Sequence, residues 1–325
     1  MFSKKTAVAA AALLAAFAAQ AQSQVNLYGN IDASVGSFKE PGQKATTKVE
    51  SGSLRGSFIG FKGTEDLGGG LKAFFKLESD LAVDTGAATG STFWARTSAI
   101  GLAGDFGTAT LGNVRSLAYL TNTAFNPFAD SAVFSASNLF GQVGAVNANA
   151  NTGTNYKNSI TYTSPNLSGF TGAVQYGASE TNGVDGAVAL QASYTAGPLA
   201  AGLVYEDVAL TANTDSQRWQ LAASYDFGIA KAFAQYGQGE VDGQAKTEKF
   251  FQIGASAPVT AAGTVLASYG QLKNDNGGTA KTTEFSLAYD HAISKRTGAY
   301  AGVNNTKVTG TKSANTFAVG VRHAF

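Results

Sequence analysis

The sequence has no cysteine, so disulfides and thiolate metal sites are excluded, although that absence does not fix the compartment. Five prolines and one methionine stand against 39 glycines, with much Ala, Thr, Ser, Asn, Tyr and Phe. This composition favours short strands and turns over helices. No charge of one sign dominates: 23 Lys+Arg face 22 Asp+Glu, a formal net of +1. The basic footprint of a nucleic-acid binder is missing. Histidine occurs twice, at His291 and His323, and neither lies near a G-x-S-x-G nucleophile signature. No stretch reaches the roughly 18 consecutive apolar residues of a spanning helix. Mean hydropathy is −0.03, which argues against a helical membrane protein but not against a barrel, whose alternating strands average out.

What is present begins with a leader. Lys4 and Lys5 precede an apolar run over 7–19, and Ala19-Gln20-Ala21 is a small-x-small cleavage site, the three regions of a secretory signal peptide. The expected boundaries are a removed leader over 1–21 and one barrel domain over 22–325. Loss of Lys4 and Lys5 takes the formal charge from +1 to −1.

The mature part reads as sixteen strand-like segments. In 71–78, Leu71, Ala73, Phe75 and Leu77 alternate with Lys72, Phe74, Lys76 and Glu78. In 217–225, Trp219, Leu221, Ala223 and Tyr225 alternate with Arg218, Gln220 and Ser224. Successive strand side chains point to opposite faces, so each segment has a greasy and a polar side. In the last nine residues, Phe317, Val319, Val321, His323 and Phe325 share one face, and the chain stops on an aromatic. A strand closing a barrel in lipid places such a ring in the interfacial girdle. Tyr176, Tyr194, Tyr205, Tyr225, Tyr269 and Tyr289 fall at or near strand ends on the apolar parity, as amphipathic rings do at a lipid–water boundary.

Connections alternate between tight turns, such as Glu65-Asp66-Leu67-Gly68-Gly69-Gly70, and longer polar loops, among them 37–52, 83–91, 207–216 and 273–280. One, 113–156, is far longer than the rest. Short turns at one end and long loops at the other are the two ends of an outer-membrane barrel. The inward parity is polar: Asn30, Asp32, Lys72, Lys76, Glu78, Gln175, Gln191, Gln220, Gln252, Glu284 and Arg322 among others. Sixteen strands leave a water-filled lumen, so the reading is a pore. No metal, phosphate-cradling or cofactor motif is found, and Gly68-Gly69-Gly70 is a turn between strands, not a strand-to-helix loop.

LYGNIDASV (27–35), GFKGTEDLGGGLKAFFKLES (60–79), RTSAIGLAGDFGTATLG (96–112), YKNSITYTSPNLSGF (156–170) and VRHAF (321–325) resemble general diffusion porins of Gram-negative bacteria, closest to the β-proteobacterial type. The resemblance implies a sixteen-stranded antiparallel transmembrane barrel with short periplasmic turns and long external loops. The third loop folds into the lumen, the chain assembles as a homotrimer in outer-membrane lipid and lipopolysaccharide, and no cofactor is used. It also implies that Phe325, His323 and Val321 belong to a closing-strand assembly signal. Acidic residues on the third loop then face wall cations, and the field between them sorts small hydrophilic solutes.

Carried over by residue, the constriction comprises Asp130 (the third loop's only acid), Arg96, Lys157, Arg115 and Phe58. Phe58 and Asn113 stand where that family has arginines, so the basic ladder is thinned. The plainer readings are a wall arginine paired to a neighbouring carboxylate for Arg96, an Asx-turn for Asp130, and packing under the inserted loop for Phe58. The expected function is passive diffusion of small solutes. The alternatives are a channel biased towards sugars or organic acids, an adhesin or receptor acting through its external loops, a barrel enzyme and a soluble β-protein.

Overall fold

A computed structural model describes residues 24–89, 92–144, 153–244, 247–274 and 280–325. The expected leader over 1–21 lies outside the described residues. Eighteen strand segments are present: β1 (Gln24–Phe38), β2 (Thr46–Ser51), β3 (Phe58–Gly68), β4 (Leu71–Ala82), β5 (Ala87–Ala88), β6 (Thr97–Gly104), β7 (Gly107–Arg115), β8 (Asn155–Thr163), β9 (Phe170–Gly177), β10 (Ala187–Ala196), β11 (Leu199–Thr211), β12 (Thr214–Asp226), β13 (Lys231–Val241), β14 (Glu248–Pro258), β15 (Gly263–Asn274), β16 (Ala280–Ala292), β17 (Thr297–Val308) and β18 (Ala314–Ala324). Each pairs antiparallel with its neighbours. β1 pairs with β18 along Asn30↔Ala324 to Ser37↔Phe317, which closes the sheet. β2 and β3 both pair with β1, at its outer and inner halves, and so form one interrupted stave. β5 only extends β4. The result is a closed barrel of sixteen staves, and closure removes the edges that lipid would not tolerate.

The alternation holds where lipid demands it. Val25, Leu27, Val35, Ile100, Leu111, Leu190, Leu221, Ile253 and Val321 are exposed on the outside. Tyr176, Tyr205, Tyr225 and Tyr289 are exposed on the same face.

Three expectations change. The expected loop over 37–52 contains β2, because Val35↔Val49 and Phe38↔Thr46 continue the ladder. The expected loop over 207–216 is mostly strand, since β11 and β12 stay paired to Thr211↔Thr214. Its polar residues rise above the apolar belt, where alternation loses its signal but backbone pairing does not stop. The strand expected from Phe93 begins at Thr97.

The lumen is not uniformly wet, as its polar parity suggests. The described part of the third loop, residues 116–144, enters it. Ser116 caps helix α1 (Leu117–Ala124), its side chain accepting from the Tyr119 N–H. A 3-10 turn follows over Ala136–Gln142. The loop lies against the inner wall from β9 to β18 in two apolar clusters. One gathers Leu117, Leu139, Phe140, Val143, Tyr156, Val204 and Phe250; the other gathers Leu54, Phe128, Phe134, Leu266 and Tyr300. Inward glycines make the close approach feasible. A Cβ at Gly237 would sit 2.7 Å from Phe140 Cε2, and one at Gly302 would sit 2.9 Å from Phe134 Cζ.

The inward glutamines therefore hold protein rather than line water. Gln175 Oε1 accepts from the Leu117 N–H at 3.2 Å. Gln191 donates to Thr121 Oγ1 at 2.7 Å, and Gln235 to the Asn122 and Phe125 carbonyls at 3.0 and 2.8 Å. Buried loop backbone needs such partners.

Candidate functional site: the lumen constriction

The break between β2 and β3 positions the far end of the third loop. Segment 52–57 turns into the barrel, anchored where Asp32 accepts from the Leu54 and Arg55 N–H groups at 3.2 and 2.8 Å. It grips the loop tip in turn. Arg55 donates to the Phe128 carbonyl, and Ser131 donates to the Ser53 carbonyl at 2.6 Å. With α1 starting at β7 and the tip held beside β1 and β3, the loop crosses the lumen. Its apolar side faces β9–β18, and Tyr119 and Asp130 are presented towards the wall from β3 to β8.

On that wall, Arg96 is the centre. It sits just before β6, with its guanidinium over the Phe58 ring at 4.3 Å. It donates to Asp80 Oδ1 at 2.8 Å, reaches Asp130 Oδ2 of the loop at 3.2 Å and lies 3.9 Å from Glu78 Oε2. Burial works against its charge, but the Asp80 hydrogen bond, with the charges of Asp80 and Asp130, holds its pKa above the ordinary value. Arg115 stacks over Tyr119 at 4.7 Å and donates to Asn155 Oδ1 at 2.8 Å, with Asp80 3.8 Å away. Asn155 closes the ring by donating to the Arg96 carbonyl at 2.9 Å.

Towards the periplasmic end, Lys62 and Lys76 stand directly opposite each other on β3 and β4, both inward. Lys62 lies over the Tyr28 ring at 4.5 Å, and Lys76 is 3.1 Å from Glu78. Glu78 also accepts from Tyr28 and Thr97 hydroxyls, each at 2.7 Å.

Of the residues expected at the constriction, the structure brings Arg96, Arg115, Asp130 and Phe58 together. Phe58 points inward as parity implies; it lies under Arg96 and edge-on to Tyr28 at 5.8 Å, with no contact to the inserted loop among its ring contacts. Lys157 is a correction. Strict alternation from inward Ser159 would turn it inward, but the ladder slips between Gly112 and Val114 and Asn158 has φ 50°. One extra residue inverts the parity. Tyr156 becomes buried, and Lys157 faces out, in a hollow with Phe93, Trp94 and Ser98. Trp94 there meets the outward Phe61.

Residues that the sequence reading did not assign to the constriction are Asp80, Tyr119, Arg55 and Lys62. Asp80 and Lys62 were legible as inward positions of their strands; Arg55 and Tyr119 depend on tertiary placement. On the closing strand, Val321 and His323 face outward, and His323 Nδ1 lies 2.9 Å from Thr297 Oγ1. Phe325 exchanges both backbone hydrogen bonds with Gly29 at 3.1 Å each.

A closed barrel with a lipid-facing exterior, a loop across its lumen and opposed charges beside the gap is an outer-membrane diffusion pore. The profile of the Gram-negative porin family matches residues 7–311, and the chain belongs to that family. It is 31% identical to outer membrane porin protein 32 of Delftia acidovorans, across 99% of this chain and 100% of the relative. The solved anion-selective porin from Comamonas acidovorans superposes with a TM-score of 0.82 at 28% identity, covering 94% of this chain and 100% of that one. The trimer form of OmpT from Vibrio cholerae shares the fold, with a TM-score of 0.70 at 16% identity over 93% and 99% of the two chains. The protein resides in the outer membrane of a Gram-negative bacterium and lets solutes diffuse across it. Its family and relatives are channels rather than enzymes.

Proposed function

We propose that solutes pass between the third loop and the β3–β8 wall, and that charge at this gap sorts them with a weak preference for anions. The observation that carries this is the neutralisation of Arg96 by three carboxylates within 4 Å. Around the gap, Arg55, Arg96, Arg115, Lys62 and Lys76 stand against Asp32, Glu78, Asp80 and Asp130, five cations to four carboxylates. Lys76 is the most accessible of the ion-paired cations there, with 44% of its side chain exposed. The accessible positive charge thus resides on the two opposed lysines below the arginines, Lys62 and the half-exposed, Glu78-paired Lys76, and pores select sign by such charged rings. The anion selectivity named for the Comamonas porin supports the same sign here.

The test is the reversal potential of single channels in a salt gradient. Lys62→Gln with Lys76→Gln moves it towards cations, and Lys157→Ala leaves it in place. An unmoved potential in the double variant would overturn the assignment. Two further readings belong to this proposal. Residues 1–21 are a removed leader, so protein taken from outer membranes begins at Gln22. The chain works as a homotrimer, supported by the trimer of the fold relative OmpT, and cross-linking in membranes reads this directly.

A further inference from the structure

Below the arginines, the lumen wall sets aromatic rings beside cations. Tyr28 on β1 is paired across the sheet with Gly60 on β3. Its ring lies over that glycine, where a Cβ would sit 3.1 Å from Tyr28 Cε1, so the missing side chain lets the ring lie close to the wall. The Tyr28 hydroxyl donates to Glu78 Oε1 at 2.7 Å, which fixes the ring's orientation. Phe58 meets it edge-on, with centroids 5.8 Å apart and planes at 75°. The two half-buried rings form an aromatic corner in the wall.

The cations over these rings are held differently. Arg96, over Phe58 at 4.3 Å, is fixed by Asp80 and Asp130 and keeps that face covered. Lys62, over Tyr28 at 4.5 Å, is exposed and belongs to none of the ion pairs among the described residues. Glu78 is already engaged by Tyr28, Thr97 and Lys76. A cation over a ring at an exposed site is weakly held, and a lysine ammonium on its four-carbon stem is free to swing. Lys62 thus leaves the ring without breaking a salt bridge, and Tyr28 becomes an open aromatic face beside a mobile positive charge.

The geometry points to a binding site for single-ring aromatic carboxylates, with Tyr28 as the platform and Lys62 as the charge partner. The solute's ring stacks on the face that the ammonium vacates, with Phe58 at its edge. Its carboxylate draws Lys62 into an ion pair, with Lys76 directly opposite on β4. Aromatic pairs favour offset-stacked and edge-to-face packing, and the corner offers one of each. A neutral ring leaves the lysine without a partner, and an aliphatic acid forgoes the ring pairing. The inference rests on the proposed path along the β3–β8 wall, and it adds a preferred solute class to the preferred sign of charge.

The test records single channels of the full chain in planar bilayers, in potassium chloride with rising benzoate, and reads the half-blocking concentration against each channel's own current. Benzamide removes the charge of the probe, and cyclohexanecarboxylate removes its aromaticity. Benzoate blocks wild type at concentrations about fivefold lower than either. Tyr28→Leu raises the benzoate value about fivefold, whereas Tyr28→Phe, which keeps the ring, has little effect. Lys62→Gln weakens the benzoate block several-fold, and this exposed position reads the site should Tyr28→Leu not refold. Equal block by benzoate and cyclohexanecarboxylate, or by benzoate and benzamide, overturns the proposal. So does an unchanged benzoate value in Tyr28→Leu or in Lys62→Gln. The reversal potential in potassium chloride alone reports separately on charge. A potential that shifts in the Lys62→Gln, Lys76→Gln channel while benzoate shows no advantage sinks the aromatic site and leaves the charge reading standing.

Discussion

Arg96 Nη2 lies 3.2 Å from Asp130 Oδ2, joining the wall ahead of β6 to the tip of the loop that spans the lumen. The same guanidinium is held by Asp80 at 2.8 Å, so the pair at the loop is one arm of a shared arrangement. Removing either partner has unequal consequences. Asp130→Asn deletes a negative charge and leaves Arg96 fixed by Asp80. Arg96→Ala leaves Glu78, Asp80 and Asp130 without their common cation. Two unit charges at such spacing interact by about 1 kcal/mol in water and several-fold more where water is restricted. The expected outcome is a small anion-ward shift of reversal potential for Asp130→Asn and a larger cation-ward shift for Arg96→Ala, with both channels conducting.

The loop's seat yields a second expectation. Gly237 has Phe140 against it at a spacing a Cβ cannot share, and Phe140 is buried against Phe250 at 5.6 Å between ring centres. Gly237→Val pushes the 3-10 turn away from β13 and into the open half of the lumen. Overpacking of this kind costs about 1–3 kcal/mol. Single-channel conductance therefore falls together with the melting temperature. Phe140→Ala in the same chain removes the ring from this spacing and conductance recovers, whereas stability does not, because the Trp219 carbonyl oxygen also lies 2.9 Å from the added Cβ. Independent, additive losses in the double variant would mean that the two residues do not meet.

The barrel is legible in the sequence because lipid and lumen impose opposite chemistry on adjacent residues. Trp219, Leu221 and Tyr225 can be assigned to the outer face without any tertiary information. Register irregularities are not legible in that way. Asn158 looks like any strand asparagine, yet its left-handed backbone turns Lys157 outward and Tyr156 inward. The role of Gln175, Gln191 and Gln235 is hidden for a different reason. A polar side chain on the inner parity serves a water-filled lumen and a buried loop backbone equally well, and only the loop's position decides. Arg96, Arg115 and Asp130 are found by family resemblance, whereas Asp80, which neutralises Arg96, needs only the parity of β4.

Behind the loop, Arg218 and Glu206 form an ion pair with a 2.6 Å Nε–Oε2 hydrogen bond, exposed by only 4% and 1%. Arg218 also lies over the Phe140 ring at 5.0 Å. Breaking a buried pair from one side strands the other charge and costs about 3–5 kcal/mol, whereas replacing both partners with apolar groups of similar volume is often close to neutral. Arg218→Met alone thus lowers the melting temperature of the refolded protein sharply. Arg218→Met with Glu206→Leu recovers most of it. A double variant as unstable as the single one would show that the pair itself, not its isolation, supplies the stability.

Closure depends on how Phe325 meets Gly29. Their backbones exchange two hydrogen bonds of 3.1 Å, the last rung joining β18 to β1. A Cβ on Gly29 would approach Phe325 Cζ to 2.6 Å and the Phe58 carbonyl oxygen to 2.5 Å, so the terminal ring lies across the glycine, and the backbone of β3 backs it. Gly29→Ala then forces the ring or the strand to move, at the seam where the sheet becomes a cylinder. Gly172, where the nearest atom to a Cβ is 3.9 Å away, is the matched control in another strand. Phe325→Ala keeps the rung but uncovers the glycine, with a loss on the order of 1.5–3 kcal/mol for the exposed ring. Refolding into detergent micelles, followed by the gel shift between folded and unfolded barrel, ranks the three. Gly29→Ala folds least, Phe325→Ala folds with reduced yield, and Gly172→Ala matches wild type. Equal yields for Gly29→Ala and Gly172→Ala would show that the seam tolerates a side chain and that closure is governed elsewhere on the β1–β18 ladder.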